Sequence, residues 1–399
     1  MHLLTSLLIL IVLARLLGRL FVKYNQPAIV GEMLTGVILG PTVLNFMHGN
    51  VALSSIAELA IFLVVLSAGL EMNFKEVINA MRGKGLIIAL AGFLIPLLSG
   101  ILVGTMFGLD AMRTVFLGLC VSITALPVAV RMLESFNILK TDIAKYSVAT
   151  AIINDVAALL ILGVILDLPQ EKSFLIIAKS IGISGGKLLL LAAFILGMYR
   201  LFEYAQKSGI NIKKIPEKLV DFFGNEALFG IVILFVLVFG SVSETLGFHF
   251  VIGAFFGALL IDREFFFASR YSELERTIGS ITSGFLGPVF FAYIGLEFNI
   301  AEVRSVEFLL AVILVSILSK ILAGWLGGRL IGLSSKTALS IGIILNGRGI
   351  MELVIASIAF QKGFIGQGLF STLVLMGVVT TMITPILFKK FGDLPGRSA

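Results

Sequence analysis

The chain is poor in the residues that soluble proteins and enzymes rely on. Its 399 residues include one cysteine, Cys120, so no internal disulfide forms, and it reads as a small core residue. Three histidines, His2, His48 and His249, are scattered without metal-ligand spacing. Charged residues make up 14%, where soluble domains carry about 25%. No phosphate loop or nucleophile triad is visible, so the sequence reads as a non-enzyme with no cofactor. The net charge of +6 comes from positives spread over short segments, none long enough to track a phosphate backbone, which argues against nucleic acid as a partner. What the chain has instead is apolar: 58% of residues are hydrophobic and 42 are glycine. That composition belongs to an all-α polytopic membrane protein with tightly packed helices in a lipid bilayer.

About 20 apolar residues cross a bilayer. Thirteen candidate spans follow, at about 2–22, 27–44, 51–70, 85–107, 112–133, 142–167, 173–204, 222–243, 246–262, 279–298, 304–332, 335–360 and 366–389. The first lacks a basic leading segment and carries Arg15, Arg19 and Lys23 at its far end, so it reads as a retained helix rather than a cleaved signal. Most other positives fall on the same set of alternate loops, with only Arg113, Lys172, Arg304 and Lys362 near the opposite set. The asymmetry predicts an outside N-terminus and a cytoplasmic C-terminus. The stretch 206–221 reads as a cytoplasmic connection between halves. The stretch 390–399 reads as a short cytoplasmic tail, and no regulatory domain is expected within this chain.

Asp155 carries the chemistry. It follows Asn154 near the middle of an apolar stretch, where a carboxylate costs roughly 2.5–3.5 kcal/mol and therefore serves ions or protons. Lys320 and Arg348 are centred in two further apolar stretches. An internal repeat supplies the frame. Gly69-Leu70-Glu71-Met72-Asn73 returns as Gly295-Leu296-Glu297-Phe298-Asn299, an offset of 295 − 69 = 226. The copies end the third and tenth spans, seven apart, so they face opposite sides, as in inverted-topology repeats. Glu71 and Glu297 read as solvated helix-end charges. Ser122, Thr124 and Pro127 fall at mid-span in one repeat, and Gly347, Arg348 and Gly349 in the other. Proline disturbs the carbonyl four residues back, and glycine weakens a helix. Two crossing broken helices are expected, with freed carbonyls able to hold a cation.

The segments Ser122–Glu134 (SITALPVAVRMLE), Asn154-Asp155 and Asn346–Ala356 (NGRGIMELVIA) resemble the monovalent cation:proton antiporter-2 family. The branch they resemble includes plant cation/H⁺ exchangers and bacterial Na⁺(K⁺)/H⁺ antiporters. The likeness runs from Gln26–Pro41 to Val374–Pro385, the latter containing Thr380 and Thr381, which are grouped with the broken-helix elements. It implies the Na⁺/H⁺ antiporter fold and a homodimer in a bacterial inner membrane. Segments 1–71 and 222–298 would form a dimerisation domain, 85–167 and 304–389 a moving core, and 173–221 the linker. It implies that Asp155 carries the ion and the proton in turn. Na⁺ or K⁺ would sit on Asp155 and Thr124, with Asn154 lining the site and Lys320 as a counter-charge.

Two departures matter. Asn154 stands where two-aspartate relatives have an acid, and Thr150 stands where some relatives have an acid paired to an arginine like Arg348. Arg348 is expected to pair with Glu352 instead, one turn along the same face. One carboxylate that holds either a cation or a proton predicts antiport, and a single acid predicts electroneutral exchange. The alternatives are a channel-like K⁺ efflux path on the same scaffold and an organic-anion transporter. The midplane acid disfavours the second.

Overall fold

The computed structural model describes residues 2–24, 26–72, 74–80, 83–136, 138–167, 174–208, 214–224, 226–261, 263, 266–303 and 305–393. Asn73 of the first repeat motif, and Arg304, lie outside the described residues. Among those described, every regular element is helical. They are α1 (Leu3–Lys23), α2 (Ala28–Leu39), α3 (Val51–Leu70), α4 (Phe74–Ala80), α5 (Gly85–Met106), α6 (Ala111–Ser122), α7 (Leu126–Ser135), α8 (Asp142–Leu166) and α9 (Phe174–Lys207). They continue with α10 (Lys214–Phe223), α11 (Glu226–Thr245), α12 (Phe250–Leu259), α13 (Ala268–Ile281), α14 (Gly287–Glu297), α15 (Val306–Leu330), α16 (Ser335–Ile344), α17 (Ile350–Gln361) and α18 (Gln367–Phe391).

Ten helical segments among the described residues are long and apolar enough to cross a membrane, with α6–α7 and α13–α14 each counted as one. Four further apolar helices are shorter: α2, α12, α16 and α17. The tenth expected span, 279–298, proves to be the second half of a longer helical run. That run starts at Ala268 and passes through a π-helical turn at Thr282–Leu286. Its first half carries Arg270, Glu273, Glu275 and Arg276, so an apolar window misses it.

Packing divides the chain into two compact units. One comprises Leu59–Lys75 and Leu159–Gly287. In it α11 and α12 form a hairpin whose turn, Gly247, has φ +88°, a left-handed conformation that suits glycine. The Tyr271 hydroxyl donates to the Leu70 carbonyl at 3.1 Å. An ion pair of Lys187 with Asp167 at 2.9 Å, joined by the Ser184 hydroxyl at 2.6 Å, ties α9 to the end of α8.

The other unit comprises Met1–Glu58, Glu76–Ala158 and Pro288–Ala399, and it holds every residue of the expected site. Two copies of one helix pattern dominate it: α5 to α8 and α15 to α18. Shifting α8 by 226 places puts it at 368–392, one residue from α18. Each copy also has the same glycine crossing. A Cβ on Gly100 would lie 2.7 Å from the Gly118 Cα, and one on Gly324 would lie 2.3 Å from the Gly342 Cα. The two pairs are 224 residues apart, since 324 − 100 and 342 − 118 agree. Only glycine lets helices approach so closely, and this contact fixes the first helix of each copy against its interrupted second helix.

Candidate ion-binding site

The second helix of each copy is broken. In the first copy α6 ends at Ser122, and the chain runs extended from Ile123 to Ala125 before α7 begins. Pro127 explains the start of α7. At the first turn its missing N–H costs nothing, whereas in a continuous helix its ring would clash with the Ile123 carbonyl. In the second copy α16 ends at Ile344 and α17 begins at Ile350. The two breaks touch. The Ala125 amide donates to the Gly347 carbonyl at 2.9 Å. The Thr124 hydroxyl donates to the Leu345 carbonyl, also at 2.9 Å.

A helix end leaves four carbonyls without partners. At the end of α6 all four are taken by side chains. Leu119 O accepts from its own helix, from Ser122 Oγ at 2.7 Å. Cys120 O and Val121 O accept from Arg348 Nη1 and Nη2 at 2.5 and 2.8 Å. Ser122 O accepts from Lys320 Nζ at 2.5 Å and from Asn154 Nδ2 at 3.5 Å. Lys320 also donates to the Gly92 carbonyl at 3.0 Å and to Thr124 Oγ1 at 2.7 Å. Both cations are fully buried, and both sit at the negative end of a helix dipole. The end of α16 is different. Its carbonyls are met by neutral groups, with Asn346 Nδ2 on Gly342 O at 3.0 Å and Thr124 on Leu345 O.

Asp155 lies within electrostatic range of Lys320 but is not bonded to it. It is 1% exposed, and neither carboxylate oxygen has a hydrogen-bond partner. The adjacent Asn154 Oδ1 is likewise unpartnered. Buried polar atoms without partners are costly, and such a set of oxygens suits a hard monovalent cation or a proton. The Leu126 amide, at the positive N-terminal end of α7, also acts on this carboxylate. The expected counter-charge is therefore arranged differently from a salt bridge: Lys320 is committed to the Ser122 and Gly92 carbonyls and the Thr124 hydroxyl and makes no bond to Asp155.

The other expected residues fall as follows. Arg348 Nη1 reaches Glu352 Oε2 at 3.4 Å, longer than its bonds to the α6 carbonyls, so the α6 end holds it first. Glu352 Oε1 is unpartnered and faces Gly377 of α18. The Thr124 hydroxyl is engaged on both sides, by Lys320 and by Leu345 O. Thr380 and Thr381, grouped beforehand with broken-helix elements, lie instead inside the continuous α18. Thr381 still serves the break, donating to Arg348 O at 3.0 Å and accepting from Arg348 N at 3.3 Å. Thr380 bonds back to Met376 O within its own helix.

Glu297 is half-buried rather than solvated, with Tyr293 acting on it. Gln367 donates to the Glu297 backbone carbonyl. Sequence reasoning missed Glu32 of α2, which is 5% exposed, with Arg15 and Arg131 as its charged neighbours. It carries the same signal as Asp155, a lone acid inside an apolar run, and could have been found by it.

Interrupted helices that cross at their breaks, in two copies of one pattern, define a membrane protein built on the architecture of secondary transporters. The chain belongs to the transmembrane sodium/hydrogen exchanger family, whose model matches residues 5–390. It is 26% identical over 379 residues to the Na⁺/H⁺-K⁺ antiporter GerN of Bacillus cereus, covering 94% of this chain and 92% of that one. It is 27% identical over 372 residues to a Na⁺/H⁺ antiporter of Enterococcus hirae, covering 92% of each. Cation/H⁺ antiporter 17 of Arabidopsis thaliana is 28% identical over 421 residues, covering 99% of this chain but 49% of that longer protein. The solved structure of the sodium proton antiporter MjNhaP1 from Methanocaldococcus jannaschii at pH 8 superposes with a TM-score of 0.70 at 18% identity. It covers 97% of this chain and 96% of that one, and the fold is therefore that of a Na⁺/H⁺ antiporter.

Proposed function

We propose that this protein exchanges Na⁺ or K⁺ for H⁺ across a membrane, with the two competing for Asp155. The observation that carries the reading is a buried carboxylate with both oxygens unpartnered, while the neighbouring Lys320 and Arg348 are held by carbonyls of α6. Asp155 must lose its proton to take a metal ion and must release the metal ion to take a proton. One group cannot do both, so movement of one is tied to movement of the other. Asn154 Oδ1 lies beside it as a second oxygen for the ion. The Thr124 hydroxyl, already bonded twice, serves chiefly to hold the breaks together.

A cavity of about 520 Å³ supports an entry route. Glu76, Lys84, Lys145, Tyr146, Val148 and Ile152 are among its lining residues, and Ile152 is one helical turn before Asp155 on α8. Alternating access would come from motion of α5–α8 and α15–α18 against the remaining helices. In this reading α2, α12 and the pair α16–α17 also cross the bilayer, giving thirteen crossings. The two copies are inverted, the N-terminus is outside, the C-terminus is cytoplasmic, and two protomers pair as a homodimer. The charge asymmetry between alternate loops supports the orientation.

Asp155 bearing H⁺ and Asp155 bearing one monovalent cation have the same net charge, so exchange is one-for-one and electroneutral. Purified protein in liposomes containing a pH-sensitive dye tests this with Na⁺, K⁺ and Li⁺ compared. The initial rate should be unchanged when an ionophore clamps the membrane potential. A rate that follows the imposed potential contradicts the stoichiometry.

A further inference from the structure

One face of α8 carries, beside Asn154, two hydroxyls that the exchange chemistry above does not use. Ser147, Thr150 and Asn154 stand at i, i+3 and i+7, on one side of the helix. All three are fully buried, and Ser147 Oγ, Thr150 Oγ1 and Asn154 Oδ1 have no hydrogen-bond partner. This is unusual within the molecule. Thr35, Ser99, Ser316, Thr372 and Thr384 all return their hydroxyls to a carbonyl three or four residues back. A buried polar atom left unpaired costs about 1–3 kcal/mol, and in proteins such atoms are satisfied by ordered water.

The stripe leads to the site. Gly92 of α5 packs against it, since a Cβ there would lie 3.0 Å from Thr150 Cγ2 and 4.0 Å from Asn154 Nδ2. The carbonyls of Gly92 and Ser122 both accept from Lys320, and Ser122 O also accepts from Asn154. The wide cavity lies on a different face of the same helix. At about 100° per residue, its Val148 and Ile152 point roughly 100–140° away from Ser147. Two faces of α8 therefore run toward residues 154–155, one lining the cavity as far as Ile152, the other buried and polar.

We propose that Ser147, Thr150 and Asn154 hold a file of water molecules that carries protons to and from Asp155, separate from the wide cavity through which the metal ion arrives. This rests on the antiporter reading. Each hydroxyl accepts a hydrogen bond from one water and donates to the next, so it keeps the same number of protons throughout. A proton enters the file as hydronium, each O–H bond broken is matched by one formed on the next oxygen, and the last O–H bond forms on the Asp155 carboxylate. A proton needs only touching waters to travel such a buried row, whereas a metal ion would need room for its own hydration shell.

The test uses full-length protein in liposomes with Thr150→Val, which is nearly isosteric, Ser147→Ala, and Thr150→Ser, which keeps the hydroxyl. Exchange in Thr150→Val should fall roughly five- to tenfold, the effect of one lost hydrogen-bond partner in the transfer path. Its solvent isotope effect should rise, while stabilisation of the melt by Na⁺ or K⁺ stays as in the wild type. Thr150→Ser should recover the rate. If Thr150→Val does not fold, Ser147→Ala carries the test with the same expectation. Wild-type rates and isotope effects in a folded Thr150→Val or Ser147→Ala overturn the proposal, as does a Thr150→Ser rate as low as that of Thr150→Val. In those cases the antiporter reading stands, provided the wild type exchanges and Asp155→Asn does not. A wild type that moves no cation against protons removes the reading and the proposal together.

Discussion

Replacing Lys320 by methionine keeps an unbranched side chain of similar length but removes a buried ammonium with three acceptors at 2.5–3.0 Å. Thr124 keeps its bond to Leu345 O, and Ser122 O keeps only the long contact from Asn154. The Gly92 and Ser122 carbonyls lose their main donor, at roughly 1–3 kcal/mol each. Relief of the ammonium's own desolvation offsets part of this, leaving a net loss of about 2–4 kcal/mol. Asp155→Asn should behave in the opposite way. Its carboxylate oxygens bond to no side chain and feel only the Leu126 amide and the more distant Lys320, so the change removes a poorly compensated buried group and breaks little. The assay is thermal unfolding in detergent with choline as the only cation. Trp325, the single tryptophan, reports it, since it lies five residues past Lys320 on α15 and bonds to Ser335 Oγ at 3.0 Å. Lys320→Met should melt well below the wild type, Lys320→Gln between the two, and Asp155→Asn at or above the wild type. If Asp155→Asn falls as far as Lys320→Met, an Asp155–Lys320 ion pair holds the site and the carbonyl-capping argument is wrong.

Asn154→Asp should place a second acid beside Asp155 and make exchange carry net charge. On a solid-supported membrane it should give a current that reverses with the gradient, where the wild type gives none, and silence from an active variant would count against the one-carboxylate stoichiometry. Gly36→Ala would put a Cβ 1.8 Å from the Ala292 carbonyl oxygen and force α2 from α14, so the variant should lose monodispersity on size-exclusion chromatography, and a normal profile would refute that contact.

Much of this architecture was legible because it is written in local chemistry. Pro127 and the glycines at 347 and 349 marked both breaks, and the 226-residue offset placed α8 on α18 to within one residue. Asp155 announced itself as an acid in an apolar stretch. What could not be read depends on the breaks touching. That Lys320 and Arg348 satisfy the carbonyls at the end of α6 follows only once α15 and α17 are placed beside it. Likewise, hydropathy sees α18 as a plain span, and its Thr381 acquires a role only by lying across from Arg348. The polar first half of the α13–α14 run was hidden for the opposite reason, since its charges break the apolar window while its backbone stays helical.

The most direct test of the account is cation-driven proton movement by Asp155→Asn in liposomes, beside the wild type, with a dye reporting internal pH. The wild type should dissipate an imposed pH gradient when Na⁺ or K⁺ is added, and the variant, folded and equally reconstituted, should leave the gradient intact. Substantial dissipation by the variant would mean that Asp155 is not where the cation and the proton compete.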